Sequence, residues 1–314
     1  MNKNENLQKA NKVKNDEFYT KLSDIEKELI HYNEMFVGKT IYCNCDNPVK
    51  SNFVQWFYIR FNILHLKRII VTAYNYGGIY WDSDFATVDP KSLDISKEIS
   101  KDVRKLNGDG DFRSEECIEL LKQADIVVTN PPFSLFREFV AQLMTYKKQF
   151  IILGNMNSIT CKEIFPYIQH NQMSYGYSIH SGDREFQVPD TYNRTDKYRI
   201  DADGIKYIRV NGVRWFTNMR NSTETDMLIL FRKYTPESYP KYDNYDAINV
   251  DKRCDIPEDY DGFIGVPISF LDKYNPKQFQ ILGLDKDMCG HRFILNKKNS
   301  ICQNCYKKTQ IKFA

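Results

Sequence analysis

Between residues 39 and 165, short apolar runs alternate with longer amphipathic segments. "TIYCNC", "RIIVTA", "DIVVT" and "FIILG" have strand length and are rich in β-branched or aromatic residues, which predicts four strands. "SNFVQWFYIRFNILHL", "SEECIELLKQ" and "SLFREFVAQLM" lie between them and predict helices. In the last, Leu135, Phe136, Phe139, Val140 and Leu143 recur at helical spacing, so one stripe faces a core. Strands that are apolar throughout, separated by helices, imply an α/β fold whose parallel sheet is covered on both faces. Beyond residue 165 the pattern changes. Residues 170–220 are rich in Tyr, Asp, Arg and Gly, with a short strand at "KYIRV". "DMLILF" has the pattern of a buried strand, residues 234–262 read as extended loops, and "GFIGVPISFL" returns to apolar character.

Composition narrows the class only a little. The 314 residues are 42% hydrophobic and 27% charged, as in an ordinary globular protein, and suit one large or two modest domains. A net charge of +3 permits a nucleic-acid partner without requiring one. The start, "MNKNENLQKANKVKNDEF", has no apolar core of a secretory signal, and no run approaches the roughly 18 apolar residues of a membrane span. With no export signal, the eight cysteines are expected to be reduced thiols in a cytoplasmic protein.

Ligands of open α/β sheets bind at the carboxyl ends of strands. There, after "ADIVV", stands "TNPPFSLF" (residues 129–136). The Asn130 side chain offers a carbonyl acceptor, and Pro131 offers a backbone carbonyl. Proline removes N–H donors and locks φ, so two acceptors can stay aimed at one point. Two acceptors suit an exocyclic amine with two N–H donors, whose lone pair is then directed outward. Orientation and polarisation would do the catalytic work without a strong base. Phe133 can stack on a planar base drawn out of a duplex. The plainer alternative is a strand-to-helix turn, with Ser134 as N-cap. Asp46, ending "IYCNCD", could hold a cofactor's hydroxyl or ammonium groups, or could serve with Ser51 as a helix cap. "GDGDFRS" (residues 108–114) places Asp111 and Phe112 after a flexible turn, as a nucleoside pocket or as a loop capped at Ser114.

Several long strings agree with one family. "NDEFYTKLSDIEKEL", "CDNPVKSNF", "GDGDFRS", "ADIVVTNPPFSLFREFV", "ILGNMNSITCKEIFP", "GVRWFTNM" and "GFIGVPISFLDKYNPKQFQILG" resemble EcoRI-type adenine-specific DNA methyltransferases. The likeness runs from near residue 15 to about residue 284. It implies a Rossmann-like methyltransferase fold with a parallel-rich doubly wound sheet and a C-terminal DNA-recognition region. It further implies methyl transfer from S-adenosyl-L-methionine to adenine N6. By position, Asn130, Pro131, Pro132 and Phe133 look like the catalytic motif, and Asp111 and Phe112 like the part facing the cofactor's adenine. Phe18, Tyr19 and Thr20 look like the element closing over its methionine end, and Asp46 stands where the family binds cofactor after the first strand. Arg214, Trp215, Asn218 and Arg220 are candidates for duplex contact. The family's acidic ribose ligand after the second strand has no counterpart, and Tyr74 and Asn75 stand there instead.

The resemblance divides the chain into a flexible N-terminus (1–14), a cofactor-binding and catalytic part (15–169), a target-recognition region with one returning core strand (170–262) and a C-terminal segment with a basic, Cys-containing tail (263–314). In that tail Cys289, His291, Cys302 and Cys305 form C-x-H and C-x2-C. The first is not the usual zinc spacing, so no metal is expected. The expected partner is double-stranded DNA, with a cognate restriction endonuclease as genetic partner and the chain acting as a monomer. Two readings compete: a methyltransferase for RNA adenine or a protein glutamine amide, and a DNA-binding protein whose catalysis has decayed.

Overall fold

The computed structural model describes residues 19–178, 184–188, 198–220, 226–243, 246–284 and 292–298, with only the backbone at 75 and 76. Residues 1–18, including Phe18, and the tail with Cys289, His291, Cys302 and Cys305 lie outside the described residues. The chain divides into two compact units, one of residues 1–158 and 175–219, the other of 159–174 and 220–314. Residues 175–219 thus belong to the first unit.

The first unit is built on an eight-stranded sheet in the order β4-β3-β2-β1-β5-β6-β11-β7. Its strands are β1 (Thr40–Cys43), β2 (Arg68–Ala73), β3 (Ile79–Asp82), β4 (Arg104–Lys105), β5 (Ile126–Thr129), β6 (Gln149–Asn155), β7 (Ser174–Tyr175) and β11 (Val213–Thr217). The four predicted strands are β1, β2, β5 and β6. They pair in parallel, with Ile41 opposite both Ile69 and Ile126, and Thr129 opposite Ile152. Their burial is nearly complete, as expected for strands covered on both faces. β3 and β11 flank this parallel centre as antiparallel strands, with β4 and β7 outermost.

Among the helices are α1 (Leu22–Leu29), α2 (Asn52–Ile59), α3 (Ile95–Lys101), α4 (Glu115–Gln123) and α5 (Phe136–Thr145). The stripe predicted on α5 buries Phe136, Phe139, Val140 and Leu143. Ser51 and Ser114 cap α2 and α4, accepting from the Phe53 and Cys117 N–H groups. Glu28 of α1 is fully buried and accepts from Tyr32 Oη (2.9 Å), the Tyr177 N–H and the Ser178 N–H (2.7 Å).

A three-stranded antiparallel sheet, β8 (Arg184–Gln187), β10 (Lys206–Val210) and β9 (Tyr198–Ile200), packs Phe186 and Ile208 into the same core. The second unit holds α6 (Phe165–Gln169) and a four-stranded sheet ordered β12 (Ala247–Asn249), β13 (Phe263–Pro267), β15 (Arg292–Lys297), β14 (Phe279–Leu284). "DMLILF" is not the buried strand its pattern predicts. Leu228 is pinned through both backbone groups to the Gln278 amide, while Met227, Ile229 and Phe231 are exposed.

Candidate active site

From β1 the chain moves outward to β2, β3 and β4, and it returns on the opposite side of β1 with β5 and β6. The strand order therefore reverses between β1 and β5. The carboxyl ends of two such strands diverge into a crevice, where open α/β sheets bind ligands. Asp46 follows β1, and Asn130 follows β5.

The exit from β5 is stiff. Pro131 is buried, Asn130, Pro132 and Phe133 are half-buried, and every described peptide bond is trans. Residues Phe133–Leu135 form a 3-10 turn closed by the Leu135 N–H on the Pro132 carbonyl at 2.9 Å, and Phe133 packs against the core. Two locked φ angles, one tight turn and a packed ring thus fix where Asn130 leaves the strand. Ser134 is exposed, and α5 begins without a side-chain cap, so the strand-to-helix turn is made without the N-cap expected at Ser134.

Asp46 is 8% exposed and accepts from Ser51 Oγ at 2.6 Å and Thr129 Oγ1 at 2.5 Å. Thr129 is the last residue of β5, and Ser51 is the cap of α2. The carboxylate is thus a strap across the switch point, joining β1, β5 and α2. Charge-assisted bonds of this length are strong. Beside it Cys43 is fully enclosed; burial, reinforced by the Asp46 charge, pushes its thiol well up, so it is a packing residue and not a nucleophile.

The loop bearing Asp111 and Phe112 presses on the end of β2. Gly110 has φ +80°, and a Cβ there would sit 2.3 Å from the Ala73 carbonyl oxygen. Gly78 meets the Gly108 carbonyl as closely, so this approach requires glycine on both sides. Phe112 is buried edge-on against Phe139 at 5.0 Å. Asp111 pairs with Arg113 at 2.7 Å, and Arg113 reaches Glu138 at 2.8 Å. Burial alone would raise the Asp111 carboxyl, but its hydrogen bonds from Arg113 outweigh that and hold it below its ordinary value.

Two buried polar atoms bear on whether a cofactor fits. Thr20 Oγ1 and Asn44 Oδ1 have no hydrogen-bond partner among the described residues, although both residues are buried. Such an atom costs about 1–3 kcal/mol unless something satisfies it. Asn44 directly follows β1, and the Thr20 carbonyl accepts from Asn52 Nδ2 at 2.7 Å at the start of α2. An acceptor and a hydroxyl suit a cofactor that carries ammonium, carboxylate and ribose groups. After β2, Tyr74 is partly exposed, and no carboxylate stands where a ribose ligand was sought. Asn44 escaped the sequence reading, since nothing local distinguishes it from a turn residue.

The four candidates for duplex contact fall elsewhere. Arg214, Trp215 and Asn218 belong to β11 and its exit. Arg214 is buried and donates to the Val213 carbonyl; Trp215 packs edge-on against Phe53 at 5.9 Å. Asn218 accepts from the Phe150 N–H and donates to the Lys148 carbonyl, so its amide fastens β11 to the start of β6. Arg220 is half-buried, at the first residue of the second unit.

The reversed strand order, with the Asn-Pro-Pro-Phe exit at the switch point, fits a Rossmann-like methyltransferase fold. Comparison with known proteins makes the class specific. The family model described as adenine-specific methyltransferase EcoRI matches residues 6–313, and the chain belongs to that family. The match extends through the cysteine-bearing tail, past residue 284 where the likeness read from the strings ended. The chain is 45% identical over 305 residues to Type II methyltransferase M.EcoRI of Escherichia coli, covering 94% of each chain. It is 40% identical over 281 residues to Type II methyltransferase M.MgeORF184P of Mycoplasma genitalium, covering 87% of this chain and 84% of the relative. A third relative, Type II methyltransferase M.MpnI of Mycoplasma pneumoniae, is 38% identical over 279 residues, with 87% and 84% covered. No solved structure matches the chain.

Proposed function

We propose that this adenine-specific methyltransferase modifies N6 of an adenine extruded from duplex DNA, with S-adenosyl-L-methionine as donor. The observation that carries the reading is the Asn130-Pro131 exit at the carboxyl end of β5, strapped through Thr129 and Asp46 to the strand that begins the cofactor side. Thr20, Asn44 and the Asp111-Phe112 loop are the residues that would hold the cofactor; Tyr19 adjoins them, and Asp46 sets their spacing. When bound, the cofactor supplies an electrophilic methyl on a sulfonium.

Asn130 Oδ1 and the Pro131 carbonyl each accept one hydrogen of the amine. That grip takes the lone pair out of conjugation with the ring and turns it toward the donor. Alignment of two reactants is worth about 7–11 kcal/mol in favourable cases, so no strong base need be present. Phe133 offers the stacking face that offsets part of the unstacking cost, a few kcal/mol per extruded base. The amine held by Asn130 and Pro131 would take the methyl in exchange for one proton released to solvent.

The relatives' names, Type II methyltransferase, support site-specific modification, and we extend the reading to a cognate restriction endonuclease as genetic partner. We carry the same reading to a monomer working in the cytoplasm; among the described residues no helix is long and apolar enough to cross a membrane. The test is incubation with methyl-labelled cofactor and separate duplex DNA, RNA and protein acceptors. Label is expected in N6-methyladenine of duplex DNA, at one sequence context by long-read sequencing. Label confined to RNA or protein would refute the reading.

A further inference from the structure

The small sheet β8-β10-β9 has one face in the core and one in solvent. Phe186 and Ile208 stand opposite each other on the inner face. Register then puts Glu185 opposite Arg209, and Gln187, Tyr207 and Arg199 in one row, on the outer face. The row is longer than the sheet. Tyr19 pairs with Gln187 through both backbone bonds, at 2.9 and 3.2 Å, and Lys21 continues that line.

The outer face is predominantly basic. Lys21 Nζ lies 2.6 Å from Glu185 Oε2, and Arg199 bonds both Glu185 oxygens at 3.0 Å. The same two cations flank the Tyr207 ring, at 5.3 and 4.7 Å from its centre. Glu185 therefore holds Lys21 and Arg199 side by side, yet uses only part of their donors. Arg209 is exposed and has no ion pair among the described residues. Three cations share the face with one carboxylate, while Asp201, at the adjoining turn, accepts from the Asp203 and Ile205 N–H groups.

We propose that this face is the duplex-docking surface, with Arg209, Arg199 and Lys21 on backbone phosphates. The proposal rests on the reading of the chain as a DNA methyltransferase, and it moves the contact away from Arg214, Trp215 and Asn218. Cations on paired strands, held in place before binding, suit a polyanion of fixed geometry, and phosphate contacts set register on a duplex. The face also adjoins a segment proposed above to hold the cofactor. Lys21 is the residue after Thr20, whose carbonyl is bound by Asn52 of α2. A duplex held by Lys21 thus lies one residue from the segment that carries an orphaned hydroxyl of the cofactor site. Because Tyr19 is paired to β8, that segment and the docking face form a single ladder.

The test measures the affinity of a labelled duplex against salt concentration for wild type, Arg209→Ala, Arg199→Ala and Glu185→Gln, with cofactor affinity as the folding control. Each lost phosphate contact lowers the slope of log affinity against log salt by about 0.9, or about eightfold in affinity near 0.1 M salt. Arg209→Ala and Arg199→Ala are expected to show that loss with cofactor affinity retained. Glu185→Gln is expected to bind duplex more tightly than wild type, an outcome that a purely structural ion pair does not give. Wild-type slopes in both arginine variants overturn the surface while leaving methylation intact. A wild-type protein that labels no DNA at all overturns instead the reading on which the surface rests.

Discussion

Replacing Asp46 with alanine removes the two bonds that strap β1 and α2 to β5, from Ser51 Oγ and Thr129 Oγ1. Hydrogen bonds to a charged acceptor contribute about 1.5–3 kcal/mol each, which gives about 3–6 kcal/mol for the pair. The site is 8% exposed and water can re-enter, so the lower end applies. A loss of about 3 kcal/mol lowers the melting temperature of a domain this size by about 6–12 °C. Asp46→Asn keeps the shape and one good acceptor, and the other hydroxyl can reorient to accept from the amide. It is expected to lose about a third of that stability. Scanning calorimetry gives the melting temperatures, and titration with cofactor gives affinity on protein that remains folded at the working temperature. An alanine variant that melts with wild type but no longer binds cofactor would refute the strap. It would restore Asp46 to a direct role at the ligand.

Three further outcomes follow from named contacts. Glu28→Ala leaves the Tyr177 and Ser178 N–H groups buried without their acceptor, and is expected to cost about 3 kcal/mol or more in urea unfolding. Gly110→Ala places a Cβ against the Ala73 carbonyl at a positive φ and should abolish high-affinity cofactor binding in calorimetric titration. Asp111 has a folded pKa below its ordinary value, so its contribution is fully present above about pH 4 and fades as pH falls through the lowered value. In Arg113→Ala the carboxyl moves up, and the acid limb of a melting-temperature profile is expected to begin at higher pH.

The parallel centre of the sheet was legible because each strand is apolar on both faces and each helix carries one apolar stripe. The place of "NPPF" followed from that order alone. What stayed hidden depended on partners far along the chain. Asp46 reads as a cap or ligand until Thr129 arrives 83 positions later. "RWFTNMR" reads as a set of side chains for duplex contact, but Trp215 answers to Phe53 and Asn218 to the start of β6. "DMLILF" has strand chemistry, yet the Gln278 side chain pins Leu228 while alternate residues stay exposed, and periodicity does not reveal whether a strand finds a neighbour. The docking face was equally unreadable, since its rows exist only once β8, β9, β10 and residues 19–21 are in register.

The proposed grip of residues 130 and 131 on the amine is the centre of the mechanism, and single-turnover methylation by Asn130→Ala examines it alone. With saturating cofactor and duplex, the variant is expected to bind both within about twofold of wild type while transferring methyl at least about 100-fold more slowly, the rate equivalent of about 2.7 kcal/mol. An Asn130→Ala protein that transfers methyl at the wild-type rate would contradict the account.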